Sequence, residues 1–115
     1  MQEFDIPIFK KVYELYKNFH LVGSNISKQD RYTIYLKCEN TLLEVIEGIL
    51  EASQLFKDKK LPILQHASLK LNLLRVFIRL MKDVKSINLK QYALMEENID
   101  EIGRMLGGWI KSTKD

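Results

Sequence analysis

The chain has little of what builds stapled, metal-bound or irregular folds: one cysteine, two prolines and two histidines in 115 residues. Cys38, being alone, makes no internal disulfide, and its apolar-rich surroundings predict a buried thiol in a reducing, cytoplasmic compartment. The scarcity of proline, at Pro7 and Pro62 only, and the lack of any low-complexity tract exclude Pro-rich linkers and extended disorder. Met1 to Pro7 carries Glu3 and Asp5 rather than a basic start to a long apolar run, so neither a secretory signal nor a membrane span is expected. A strong charge of one sign is lacking too. The 18 Lys and Arg against 15 Asp and Glu leave +3, which permits nucleic-acid or acidic partners without demanding them.

What fills the chain is helical periodicity. Asp5 before Pro7 predicts a helix start, and Phe9, Val12, Tyr13, Tyr16 and Phe19 recur at three- and four-residue steps to about Leu21. Gly23, Ser24 and Asn25 supply a turn. Ser27, with Asp30 three residues on, then predicts a capping box that opens a long second helix. Tyr35, Cys38, Leu42, Val45, Ile46, Ile49 and Phe56 line one side of that helix, and Lys37, Glu44, Glu47 and Glu51 the other. The KDKKLP stretch from Lys57 to Pro62 reads as a loop, with Pro62 in the first turn of a third helix reaching Ile87.

In that third helix Leu69, Leu73, Val76, Phe77, Leu80, Met81 and Val84 form an apolar face, with Leu71 and Ile78 beside it. This is more apolar surface than one core can use. Asn88 with Gln91 repeats the cap-plus-three signature, and Tyr92, Met95, Ile99, Ile102, Leu106 and Trp109 carry a fourth helix. No strand-like alternation survives. Four helices joined by short turns predict an all-α, antiparallel four-helix bundle, a single domain over residues 1–115.

Catalytic and metal-binding patterns are scarce. Carboxylate di-metal bundles need Glu-x-x-His pairs, which put two ligands on one helix face; here Lys17 precedes His20 at that spacing and Ile63 precedes His66. Both histidines therefore read as helix-end or partly exposed side chains, and neither metal nor cofactor is expected. Cys38 has no Cys-His signature that would supply a base. Gly103, Gly107 and Gly108 lie late in the fourth helix, not in a phosphate-cradling loop between strand and helix.

Two features remain. Each helical glycine costs about 1 kcal/mol relative to Ala, so Gly103 and Gly107, one turn apart, point either to close approach by another helix or subunit or to a helix fraying at Gly107-Gly108. The apolar Trp109 and Ile110 beyond them favour packing. The second feature is the basic third helix, where Lys70, Arg75, Arg79, Lys82 and Lys85 meet only Asp83 as counter-charge. Arg75, Arg79 and Lys82, at i, i+4 and i+7, share a face that could grip phosphates or an acidic protein, or could simply be solvated. The second and fourth helices carry the acids, Glu44, Glu47 and Glu51, then Glu96, Glu97, Asp100 and Glu101, which predicts an electrostatically two-sided molecule.

The segments LKQYALMEENIDEIGRMLGGWIKS, LLRVFIRLMKDVK and ENTLLEVIEGILEA resemble the accessory variability determinant proteins of diversity-generating retroelements. The likeness spans nearly the whole chain, and DEIGRMLGGWIK, from Asp100 to Lys111, is its most specific part. The resemblance implies a four-helix protomer of a barrel-like homopentamer. It also implies a protein without catalytic activity of its own that binds the reverse transcriptase and nucleic acid while template RNA is copied into mutated cDNA. It places binding roles on Arg75 and Arg79 of LLRVFIR and on Arg104 of IGRMLGGW; Lys82 and Lys85 extend that set by helix geometry. Gly103, Gly107, Trp109, Leu71 and Ile78 are the candidates for oligomer or close helix packing. The chain departs from strongly basic members in its modest charge and in keeping only Lys111 and Lys114 after Trp109. Related bundles encoded in intervening sequences of ribosomal RNA genes, RNA-associated or protein-binding, are the alternative.

Overall fold

The computed structural model describes residues 6–115, which form helices and turns with no strand. The helices are α1 (Pro7–Gly23), a single turn α2 (Lys28–Arg31), α3 (Ile34–Ser53), α4 (Lys57–Asp83) and α5 (Leu89–Lys114). The four long ones correspond to the four helices that the periodicity predicts. α1 packs on α3 and α5, and α4 packs on α3 and α5, so the long helices close a ring around one core. The cross-helix pairs Phe19 with Tyr35, Cys38 with Met81, and Lys82 with Tyr92 each set the start of one helix beside the end of its neighbour. Gly48 with Ala67 and Lys60 with Trp109 join their far ends. Successive long helices are therefore antiparallel.

Local chemistry sets each boundary. Pro7 stands in the first turn of α1, where its missing N–H costs nothing; the expected start at Asp5 lies outside the described residues. Ser27 Oγ accepts from the Asp30 N–H at 3.3 Å, as the spacing predicts. The box does not close, because the Asp30 carboxylate accepts instead from the Ser86 hydroxyl. Nor is the second helix continuous from there. The Thr33 hydroxyl donates to the Gln29 carbonyl at 3.0 Å, and its backbone (φ −121°, ψ −98°) is not helical, so α2 stops after one turn and α3 starts afresh. Arg31 Nη2 donates to the Gly23 and Ile26 carbonyls at 3.2 and 3.4 Å, closing the end of α1.

KDKKLP, expected as a loop, is the beginning of α4. Pro62 sits inside the helix and has no N–H for the Asp58 carbonyl; so near the exposed start, that single loss is tolerated. The other end of α4 comes earlier than Ile87. The Lys85 N–H donates to the Lys82 carbonyl at 3.0 Å and the Ser86 N–H to the Met81 carbonyl at 2.8 Å, a Schellman motif. Lys85 occupies its left-handed position at φ 65°. At α5 the predicted cap is complete: Asn88 Oδ1 accepts from the Gln91 N–H at 2.8 Å and Gln91 Oε1 from the Asn88 N–H at 2.9 Å.

The core takes Leu15 and Phe19 from α1, Cys38, Leu42, Val45 and Ile49 from α3, and Met95, Ile99, Ile102 and Leu106 from α5. From α4 it takes Leu64, Ala67, Leu71, Leu74, Ile78 and Met81. The α4 face named from the sequence is core only in part: Met81 is buried and Phe77 packs against the core, but Leu69, Val76, Leu80 and Val84 are exposed, while Leu71 and Ile78, expected beside that face, are buried. Two small residues bring α3 and α4 close, since a Cβ on Gly48 would lie 3.2 Å from that of Ala67. At the α1–α3 seam Tyr35 stacks flat on Phe19 at 4.5 Å and fills the space beside Gly23, where a Cβ would meet its hydroxyl at 2.2 Å.

Two outcomes follow. A left-handed Lys costs about 1 kcal/mol that glycine avoids, so Lys85→Gly is expected to raise the unfolding free energy by about that much in urea titration. Burial first, then Glu39, pushes the Tyr35 phenol from 10.0 up to about 12. Its folded pKa is raised, so its stabilisation is complete below pH 10 and is lost as pH rises towards 12. In Tyr35→Phe the latest phase of the tyrosine absorbance titration should vanish, and stability should fall less between pH 10 and 12 than in the parent.

Candidate nucleic-acid interface

Arg75, Arg79 and Lys82 do share one edge of α4, but α5 runs antiparallel along that edge and brings its acids to it. Arg75 Nη1 pairs with Asp100 Oδ1, 25 residues away in sequence. The Lys82 ammonium lies 4.6 Å from the Tyr92 ring centroid and 3.6 Å from Asp83. Tyr92 in turn donates to Glu96, and that hydrogen bond, with burial and the Glu96 charge behind it, raises the phenol pKa. On the opposite edge Lys70 meets Glu44 at 2.9 Å, and the hydrogen bond from Lys70 holds the Glu44 carboxyl below its usual range.

The expectation that these cations face only Asp83 is therefore wrong, since Lys70 and Arg75 each meet an acid of a neighbouring helix. Acids of α3 and α5 interleave with the bases of α4, because tertiary packing joins residues that helix spacing treats as separate. Arg79 and Arg104 are exposed, and neither makes an ion pair among the described residues. Lys85 is exposed at the turn after α4, away from the helical face that would have aligned it with Lys82.

The candidate packing residues divide in the same way. Gly103 accommodates the α4 side chains of its own bundle: a Cβ there would lie 3.5 Å from Arg75 Nη2 and 3.7 Å from Leu71 Cδ2. Leu71 and Ile78 are core residues, so neither is on the surface. Gly107 and Gly108 do not end α5, which continues to Lys114, and a Cβ at either would meet nothing within 4 Å among the described residues. Trp109 is half-buried, with the Lys60 ammonium 5.4 Å from its ring centroid.

Other chemical groups have structural surroundings. Cys38 is buried with Sγ 3.4 Å from Met81 Sδ, and burial pushes the thiol up to about 12, so it stays protonated near neutral pH. His20 stacks beside Tyr16, whose hydroxyl donates to Glu39 at 3.2 Å, and His66 is exposed midway along the first half of α4. No cluster of three His, Cys, Asp or Glu side chains fit to hold a metal occurs among the described residues. No helix among them is long and apolar enough to cross a membrane.

Sequence reasoning missed Asp100 as the partner of Arg75 and the lysines that open α4; the acidic run from Glu96 to Glu101 was the only available signal for the first. Over residues 7–113 the chain matches the family model described as bAvd-like. No curated protein matches it.

The ion pair separates two arginines that look alike in sequence. Arg75→Ala should lower stability by about 0.5–1 kcal/mol in chemical denaturation, since the pair is partly exposed. Arg79→Ala should stay within about 0.5 kcal/mol of the parent.

Proposed function

Because the chain belongs to the bAvd-like family, a family of accessory proteins, we propose that it serves a diversity-generating retroelement, binding the reverse transcriptase and nucleic acid during mutagenic reverse transcription. The family match over residues 7–113 carries this reading, and it favours the retroelement role over that of the bundles encoded within ribosomal RNA genes. In this reading the chain itself catalyses nothing. It works in the cytoplasm, as one domain per protomer, by holding polymerase and template together.

Arg79 and Arg104, exposed and without ion pairs among the described residues, make the contacts to phosphate or to an acidic polymerase surface. Arg75 acts differently from its helical neighbour: while it holds Asp100 its charge is partly neutralised, and its contribution is to fix α5 against α4. Lys82, already placed over Tyr92 and beside Asp83, adds field rather than a direct contact. The exposed α4 stripe of Leu69, Val76, Leu80 and Val84 supplies the subunit contact of a homopentamer, with the open strip at Gly107 as a place of close approach. Five copies of a sparse basic surface then bind one long ligand through multivalency.

Light scattering across a range of concentrations should give a pentamer mass, and Val76→Lys with Leu80→Lys should reduce it. In the same preparation Arg79→Glu with Arg104→Glu should weaken binding of the polymerase and its template RNA at least tenfold while folding normally. Unchanged binding by the folded double variant would remove these arginines from the mechanism.

A further inference from the structure

The end of the bundle where α4 begins and α5 finishes carries a second basic surface, absent from the arginine set above. Lys57, Lys59 and Lys60 stand in the first turn of α4, and Lys111 and Lys114 in the last turn of α5. Lys60 Nζ lies 5.4 Å from the Trp109 ring centroid, and Lys57, Asp58 and Leu61 line one shallow depression with Thr113, Lys114 and Asp115. Lys57 and Lys114, some fifty positions apart in the chain, thus border one depression, and Lys60 reaches α5 at Trp109. Asp58 and Asp115 are the acids within these two turns, and none of the five lysines makes an ion pair among the described residues.

This arrangement opposes the stability of α4. A helix N-terminus carries partial positive charge, and lysines there are unfavourable by a few tenths of a kcal/mol each. Phe56, the N-cap residue, offers no side-chain cap. Lys57 and Lys59 are exposed, and because Cα–Cβ bonds lean towards the helix N-terminus, first-turn side chains tilt towards the end of the bundle. Phe56 stands among them, 86% exposed. A bare aromatic ring beside unpaired cations matches one chemistry well: a polyanion with flat, unstacked bases, whose phosphates meet the ammonium groups while a base stacks on the ring.

We propose that this lysine-rich end, with Phe56 as its stacking platform, binds single-stranded RNA or DNA separately from Arg79 and Arg104. The proposal rests on the reading of the chain as a nucleic-acid-binding accessory protein and adds a second contact surface and the preferred strand form. A single strand is favoured over a duplex because stacking on Phe56 requires an unpaired base.

The test uses the full chain, a labelled oligouridylate and fluorescence anisotropy over a salt series. Neutralising Lys57→Gln, Lys59→Gln and Lys60→Gln together should weaken binding at least tenfold and reduce the slope of log affinity against log salt by about 2. The same variant should melt close to the parent, since relief of the repulsion from the helix dipole offsets the lost Lys60–Trp109 contact, and this separates lost binding from lost folding. Phe56→Ala should weaken binding about tenfold with the salt slope unchanged.

An unchanged affinity and slope in the triple variant overturn the proposal; if Arg79→Glu with Arg104→Glu still abolishes binding in that case, the functional reading stands without it. Binding lost in the triple variant but kept in the arginine variant supports the lysine surface and removes the arginines. Equal loss of duplex and single-strand binding, with Phe56→Ala silent, overturns the stacking role. Loss of binding only to vesicles containing phosphatidylserine, with oligouridylate binding intact, makes the surface a membrane contact and overturns the proposal. No oligouridylate binding by the parent at low salt overturns both the proposal and the nucleic-acid part of the reading.

Discussion

A helix in a four-membered bundle can bury one stripe, and α4 carries two. Leu64, Ala67, Leu71, Leu74, Ile78 and Met81 enter the core, where each large side chain contributes about 1.5–3 kcal/mol by leaving water. The rest of the molecule is arranged around that choice. It places Ala67 against Gly48, so that α3 can approach closely, and brings Met81 onto Cys38 at the opposite end. It turns Arg75 towards Asp100 and Lys70 towards Glu44, one on each flank. What is left over, the outward row of Leu69, Val76, Leu80 and Val84, is the apolar surface that the proposed assembly uses.

The polar contacts of the bundle lie in its seams more than on its open faces. The α4–α5 seam alternates Arg75 with Asp100, and Lys82 with Tyr92 and Glu96, so cations that would repel one another along α4 are separated by groups of the neighbouring helix. Pairs this exposed contribute modestly to stability, about 0–1 kcal/mol each. Their larger effect is on what remains available. Charge that is satisfied within the protomer is a weaker draw for phosphate, so Arg79 and Arg104 have more to gain from a partner than Arg75 or Lys70. A net charge of +3 therefore says less about binding than the placement of the individual cations does.

Backbone compromises collect at the ends of α4. Pro62 removes one hydrogen bond near its start, three lysines crowd its first turn, and Lys85 takes a left-handed conformation after its last. Each is locally unfavourable, and together they bracket a helix whose interior is held by the core. The glycines show the same division. Gly48 and Gly103 are filled by Ala67, and by Arg75 with Leu71, whereas Gly107 and Gly108 stay open on a continuous helix, a cost that nothing among the described residues offsets.

The sequence by itself determined the helical class, the four long helices and the complete cap at Asn88, because these depend on neighbours within a turn or two: periodic apolar residues, Pro in a first turn, Asn followed by Gln. It also carried the family resemblance that the match over residues 7–113 bears out. Tertiary structure alone decided which α4 stripe is core, since Leu71 and Leu73 are equally apolar and only the positions of α3 and α5 distinguish them. It decided that Arg75 is paired and Arg79 is not, because Asp100 is distant along the chain and adjacent in space. And it decided that KDKKLP begins a helix: a lysine-rich stretch ending in proline resembles a loop until packing against Trp109 and the core makes the helical turn worth its electrostatic cost.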